Sequence, residues 1–194
     1  MTAWRRIEDE HQAHAAIIHG LRYLIEAIEE GRQQPDFELL RAMVHYVAEY
    51  PERSHHPKED RFLFARLKEK THEADAVIAR LEQEHAANEK RVAELQEALR
   101  AYAAGEAGGF ETFKQAFGRY ADFYRQHMIT EEREILPLAR RVFSAEDWAA
   151  IDEGWRTRPD PLAGATFTED WEKAFRELVM RAPPPIGLGS TPSG

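Results

Sequence analysis

HHPKED at residues 55–60 and HMITEE at residues 127–132 are the two stretches on which the fold turns. Each sets a histidine four positions before a glutamate, His55 with Glu59 and His127 with Glu131. On a helix that spacing places both side chains on one face. Each pair then leads into an apolar run, RFLF after the first and REILPL after the second. Alone, an HxxxE pair on a Glu-rich helix is ordinarily a solvated contact worth about 0.2–0.5 kcal/mol. A lone histidine on an apolar face is ordinarily a hydrogen-bonded core residue. What the pairs mean depends on the helices that carry them.

Helical periodicity extends outward from both. The first helix is predicted over about residues 4–30, with Ile7, His11, His14, Ile18, Leu21, Ile25 and Ile28 on one stripe and Gly31 as its stop. Asp36 is the natural N-cap of a second helix, which runs to Pro51 and resumes through HHPKEDRFLFARLKEK. Pro51 and Pro57 each remove a backbone donor and are expected to kink it. Thr71 is placed to cap a third helix whose stripe is Val77/Ile78, Leu81, His85, Asn88, Val92, Leu95 and Leu99. After AGEAGG, a fourth helix starts near Phe110 and carries Phe113, Phe117, Tyr120, Tyr124, His127, Glu131, Ile135 and Leu138. SAED at 144–147 is a capping-box pattern for a short fifth helix. A last amphipathic helix is expected over about 168–181, capped by Thr168.

Four long helices with short connections imply an all-α, up-down-up-down antiparallel four-helix bundle over residues 1–143. Residues 144–181 are expected to form a helical extension packing on it, and 182–194 a Pro/Gly-rich tail. The 43% hydrophobic content of 194 residues is enough for one such core. The net charge of -9, with no basic face, disfavours a nucleic-acid or anionic-membrane partner. The N-terminal MTAWRRIEDEHQAH has no apolar h-region, and no run nears the ~20 apolar residues of a membrane span, so a cytoplasmic protein is expected. The absence of cysteine excludes thiolate metal sites and thiol chemistry in this chain, so any metal must be held by nitrogen and oxygen donors.

Helix register joins the two hexapeptides. His11 and His55 each lie about 22 residues from a turn centred near residue 33, and His55 and His85 each about 15 from one near residue 70. His85 and His127 lie about 22 and 20 from a turn near residue 107, a mismatch of about 3 Å. One histidine per helix therefore reaches a single layer, with Glu59 and Glu131 one turn away. Burying four imidazoles and two carboxylates without a counterion costs many kcal/mol, and coordination removes that cost. Mixed His/carboxylate ligation suits iron, with manganese or zinc as alternatives.

The ordered set DEHQAH (9–14), HHPKEDRFLF (55–64), LEQEH (81–85) and HMITEEREILP (127–137) resembles the hemerythrin-like (HHE cation-binding) family across about residues 5–142. The resemblance implies a non-haem centre of two iron ions, oxo- or hydroxo-bridged when oxidised, taking a small diatomic or peroxide as ligand. By position, His11, His55, Glu59, His85, His127 and Glu131 match the family's ligands. Oxygen-carrying members place a second histidine one turn after the third-helix ligand, whereas this chain has Asn88 and Glu89 there. Glu89 is the candidate seventh ligand. Its substitution weighs against reversible oxygen carriage and towards redox chemistry or sensing. A module that stores, senses or repairs iron centres without turnover is the alternative, and the reaction itself is left open. A metal-free helical interaction protein is the third reading.

His56, about 100° from His55 on a regular helix, is held as a substitute for it. His14 reads as packed or adjacent to a ligand, and His19, His45 and His72 as surface residues. Tyr120 and Tyr124 are expected in core packing, with a hydrogen bond from Tyr124 to a ligand as the alternative. Phe62, Leu63, Phe117 and Ile135 would supply a dry shell. Trp171, Phe175 and Leu178 would pack across the bundle or form a homodimer contact.

Overall fold

In the computed structural model, residues 3–156 are described, and all their regular structure is helical. Helix α1 is Ala3–Glu29. Helix α2 spans 37–70 and is made of Phe37–Tyr50, a wide π turn Pro51–His55, the short piece His56–Lys58, a second π turn Glu59–Phe64, and Ala65–Lys70. Helix α3 is Asp75–Ala103. Helix α4 spans 109–142, as Gly109–Thr130, the π turn Glu131–Ile135 and Leu136–Val142. Helix α5 is Ala145–Trp155. The expected helix at 168–181, with Thr168, Trp171, Phe175 and Leu178, and the tail at 182–194 lie outside the described residues.

Local chemistry sets the ends. α1 stops at Gly31, where φ is 69° and the Arg32 N–H reaches back to the Ala27 carbonyl at 2.9 Å, a Schellman closure. The Asp36 carboxylate accepts from the Glu38 and Leu39 N–H groups, as its sequence position predicts. Ser144 and Asp147 complete a reciprocal capping box on α5. Thr71 does not cap α3. It sits extended at the end of α2, its hydroxyl accepting from the Glu73 N–H at 3.2 Å, and α3 begins after Ala74 without a side-chain cap. The prolines do not break α2. Its helical backbone runs through Pro51 and Pro57, and the surplus is taken up in the π turns.

The apolar interior falls into two clusters. One gathers Leu21, Leu24, Leu40, Met43, Leu95, Phe113 and Phe117 with their neighbours. The other gathers Ile7, Leu63, Phe64, Leu81, Ile135 and Trp155 with theirs. Along each long helix, buried polar residues stand between these blocks: His11 and His14, then His55, His56 and Glu59, then His85 and Asn88, then His127 and Glu131. The helices thus sandwich a polar layer between two dry ones. No described helix is long and apolar enough to cross a membrane.

Candidate metal centre

The π turns aim the second and fourth helices. Pro57 has no N–H, and on a regular helix its ring would strike the Arg53 carbonyl. The chain widens the turn before it instead, with the His56 N–H bonding the Pro51 carbonyl. α4 repeats the device ahead of Pro137, where the Leu136 N–H bonds the Glu131 carbonyl. Glu59 and Glu131 each open a π turn, a feature that recurs at functional sites. The consequence on α2 is that His55, His56 and Glu59 all face inward, at 2%, 3% and 0% exposure. His56 therefore joins His55 on the inward face and does not displace it.

Five imidazoles converge. His11 Nε2 lies 3.0 Å from His55 Nε2, and His85 Nε2 lies 3.1 Å from His127 Nε2. His56 stacks on His85, ring centroids 4.1 Å apart at 11°, and His56, His85 and His127 can share one ion. Glu59 and Glu131 each span the two halves. Glu59 Oε1 lies 3.3 Å from His55 Nε2 while its Oε2 lies 3.6 Å from His85 Nε2. Glu131 Oε2 lies 3.3 Å from His11 Nε2 while its Oε1 lies 3.1 Å from His127 Nε2.

Outside this cage, each imidazole turns its other nitrogen to a carboxylate. His55 Nδ1–H donates to Glu10 at 2.7 Å, His85 to Asp60 at 2.8 Å, His127 to Glu84 at 2.8 Å and His11 to Glu132 at 3.2 Å. The four bonds form a ring. An acid on α1 serves α2, one on α2 serves α3, one on α3 serves α4, and one on α4 returns to α1. His56 Nδ1 faces Glu52 of its own helix at 3.1 Å, off the hydrogen-bond axis. With Nδ1 protonated and the imidazoles neutral, lone pairs face each other across 3.0 Å, which is repulsive unless a cation stands between them. Two nitrogens bound to one ion at about 2.0–2.1 Å are separated by about 3 Å, so the spacing fits coordination.

The carboxylates agree. All four oxygens of Glu59 and Glu131 are buried without completing a hydrogen bond. Such groups are costly unless a cation satisfies them. Without one, protons fill the role. Burial works against a charged His127, yet Glu131 and Glu84 outweigh it and raise its pKa to about 10. His85 rises to about 9 against burial, through Asp60, Glu131 and Glu59. His56 is pushed well below its ordinary value by burial and by the neighbouring histidines, so it presents a neutral ring.

A search of curated proteins finds no match to this chain. The model of the hemerythrin HHE cation-binding domain matches residues 2–139. The chain belongs to the hemerythrin family. Among described residues of this hemerythrin-like chain, the side chains able to hold a metal ion are His11, His55, His56, Glu59, His85, His127 and Glu131. Glu89 is not among them. α3 is a regular α-helix through His85, and its next inward residue is Asn88, fully buried and donating to Glu52 at 2.5 Å, while Glu89 is exposed. His56 takes the space beside His85 instead. His14 is buried, its Nδ1 2.8 Å from Tyr124 Oη, so the tyrosine hydroxyl pairs with His14 while its ring packs 6.0 Å from those of His56 and His127. Tyr120 donates to the Val47 carbonyl at 3.3 Å. His19, His45 and His72 are exposed, as expected.

Sequence reading missed the ring of acids, although it leaves a trace. Glu10, Asp60, Glu84 and Glu132 each adjoin a cage residue in sequence, and each serves the helix next door.

Proposed function

We propose that this hemerythrin-like chain is a non-haem di-iron protein that binds or reduces a small oxidant, namely O₂, peroxide or NO. The observation that carries the reading is the division of donors: two imidazole groups, His11 with His55 and His56 with His85 and His127, joined by two carboxylates that each offer one oxygen to either side. Carboxylates shared in this way offset the repulsion between adjacent cations, and their nitrogen and oxygen donors suit iron, with manganese and zinc as the competing occupants. An up-down-up-down order of α1 to α4 accounts for the shared height, because the connections at 30–36, 71–74 and 104–108 are short enough to reverse the chain directly.

When bound, a ferrous pair supplies one electron from each ion to an oxidant. The chain's own part is to position and to exclude water. Leu63, Phe64, Leu81 and Ile135, all at 0% exposure, close the layer on one side, and Phe117, Tyr120 and Tyr124 close it on the other. The His11–His55 half has one imidazole fewer than its partner, so the gap that admits a small ligand belongs there.

Metal-free protein loaded anaerobically with ferrous iron is expected to hold two irons per chain and to develop charge-transfer absorption on exposure to oxidant. Colourless, iron-free protein after iron-replete expression overturns the reading. Consumption of oxidant beyond one equivalent per metal pair separates turnover from an iron-storing, sensing or repair module, which stops at stoichiometry.

A further inference from the structure

Of the four ring acids, three stand partly in solvent: the side chains of Asp60, Glu84 and Glu132 are 40%, 26% and 49% exposed. Glu10 is different, its side chain 4% exposed. What covers it is α5. Trp155, the last residue of that helix and 1% exposed, donates its indole N–H to Glu10 Oε2 at 3.1 Å. The same oxygen accepts from His55 Nδ1, and Lys58 Nζ approaches the other oxygen at 3.4 Å. The indole also meets the His55 ring edge-on, centroids 6.2 Å apart. α5 is held at this corner by further contacts. Arg6 pairs with Asp152 across 3.2 Å, Trp148 packs edge-on against Trp4, and Gly154 lies so close to Phe62 that an added Cβ would come within 2.7 Å of its ring. Residues 145–155 lie beyond the 2–139 that the family model matches.

We propose that Trp155 is a positioning residue for the metal centre: through Glu10 it fixes the His55 imidazole, so that the docking of α5 sets how tightly the His11–His55 half holds its cation. The inference rests on the two-ion reading above. A carboxylate that accepts from a metal-binding imidazole sets the direction of that ring, and loss of such a partner typically costs 10- to 100-fold in metal affinity. Here the carboxylate is itself oriented by the indole. Linkage then runs both ways: a docked α5 favours the cation, and the cation favours a docked α5.

The test titrates the metal-free full chain with cobalt(II), following calorimetry and visible absorption, for wild type, Trp155→Phe, Glu10→Gln and Asp152→Asn. Hydrogen exchange of residues 145–155 is read with and without the metal. Wild type is expected to bind two ions and to slow exchange in α5 when it does. Trp155→Phe, which keeps an aromatic ring and loses the donor, is expected to weaken one ion roughly 10- to 100-fold and leave the other unchanged. Glu10→Gln should weaken the same ion. Asp152→Asn, which removes surface pairs with Arg6 and Arg156 and leaves the Trp155–Glu10–His55 contacts and the rest of the α5 docking in place, should weaken the same ion far less. Lower thermal stability in Trp155→Phe with both affinities intact, or α5 exchange indifferent to cobalt in wild type, overturns the inference and leaves the di-metal reading standing. Wild type that binds no cobalt overturns both.

Discussion

Metal-binding histidines as a rule have the far nitrogen anchored, and four of the five cage histidines are anchored by a carboxylate on another helix. His56 is the residue whose placement changes the chemistry most, because it turns a two-imidazole half into a three-imidazole half. His56→Ala is expected to lower the affinity of one ion by 10-fold or more and leave the other unaffected, whereas Glu89→Ala should leave both unchanged; metal titration of the two variants checks this. The anchored imidazoles also set a pH dependence in the metal-free protein. His85 and His127 have folded pKa values of about 9 and 10 against an ordinary 6.5, so their contribution to stability is complete below pH 6.5 and is lost as pH rises through 9 to 10. His11 and His55 shift in the same direction, and His56, lowered, is neutral in both states over that range. Urea unfolding of metal-free protein from pH 6.5 to 10 should therefore show falling stability. Metal affinity should rise over the first part of the same range, because bound metal displaces those protons.

At the scale of the element, regular periodicity was legible and departures from it were not. Apolar stripes on α1, α3 and α4, Asp36, Gly31 and the Ser144 box all read directly, and the one-layer register of His11, His55, His85 and His127 followed from counting residues to each turn. His56 could not be placed that way, since 100° per residue sends it away from His55, and only the π turn ahead of Pro57 brings both inward. A proline signals that a turn must yield; whether it kinks or widens depends on tertiary packing. Two glycines show how packing decides at this scale. A Cβ on Gly109 would come within 2.8 Å of the Tyr102 backbone, which has no side-chain freedom to retreat, whereas Gly118 has open space. Gly109→Ala is expected to destabilise the fold by about 1–3 kcal/mol. Gly118→Ala, in a helix interior, should stabilise it by about 0.5–1 kcal/mol. Denaturant midpoints of the two metal-free variants, moving in opposite directions, are the check.

At the scale of the whole molecule, the ring from Glu10 through His55, Asp60, His85, Glu84, His127 and Glu132 to His11 closes on itself, so the polar layer belongs to no single helix. Each cage side chain lies between two apolar clusters that would pack more simply with nothing polar between them. Four buried carboxylate oxygens without a completed hydrogen bond mean the metal-free fold carries a cost that bound cations remove. Free energy of binding at such a site is then free energy of folding. Metal at 100 times its dissociation constant adds about 2.7 kcal/mol per ion, which in a chain of this size raises Tm by roughly 5–11 °C. Because the ring couples all four long helices, chelation should speed hydrogen exchange at the same height on each, around residues 8–14, 52–60, 82–88 and 124–132, and not in one helix alone. A Tm unmoved by chelation of the iron-loaded protein, or exchange that rises in a single helix, would contradict a shared centre and return these side chains to the role of a metal-free polar core.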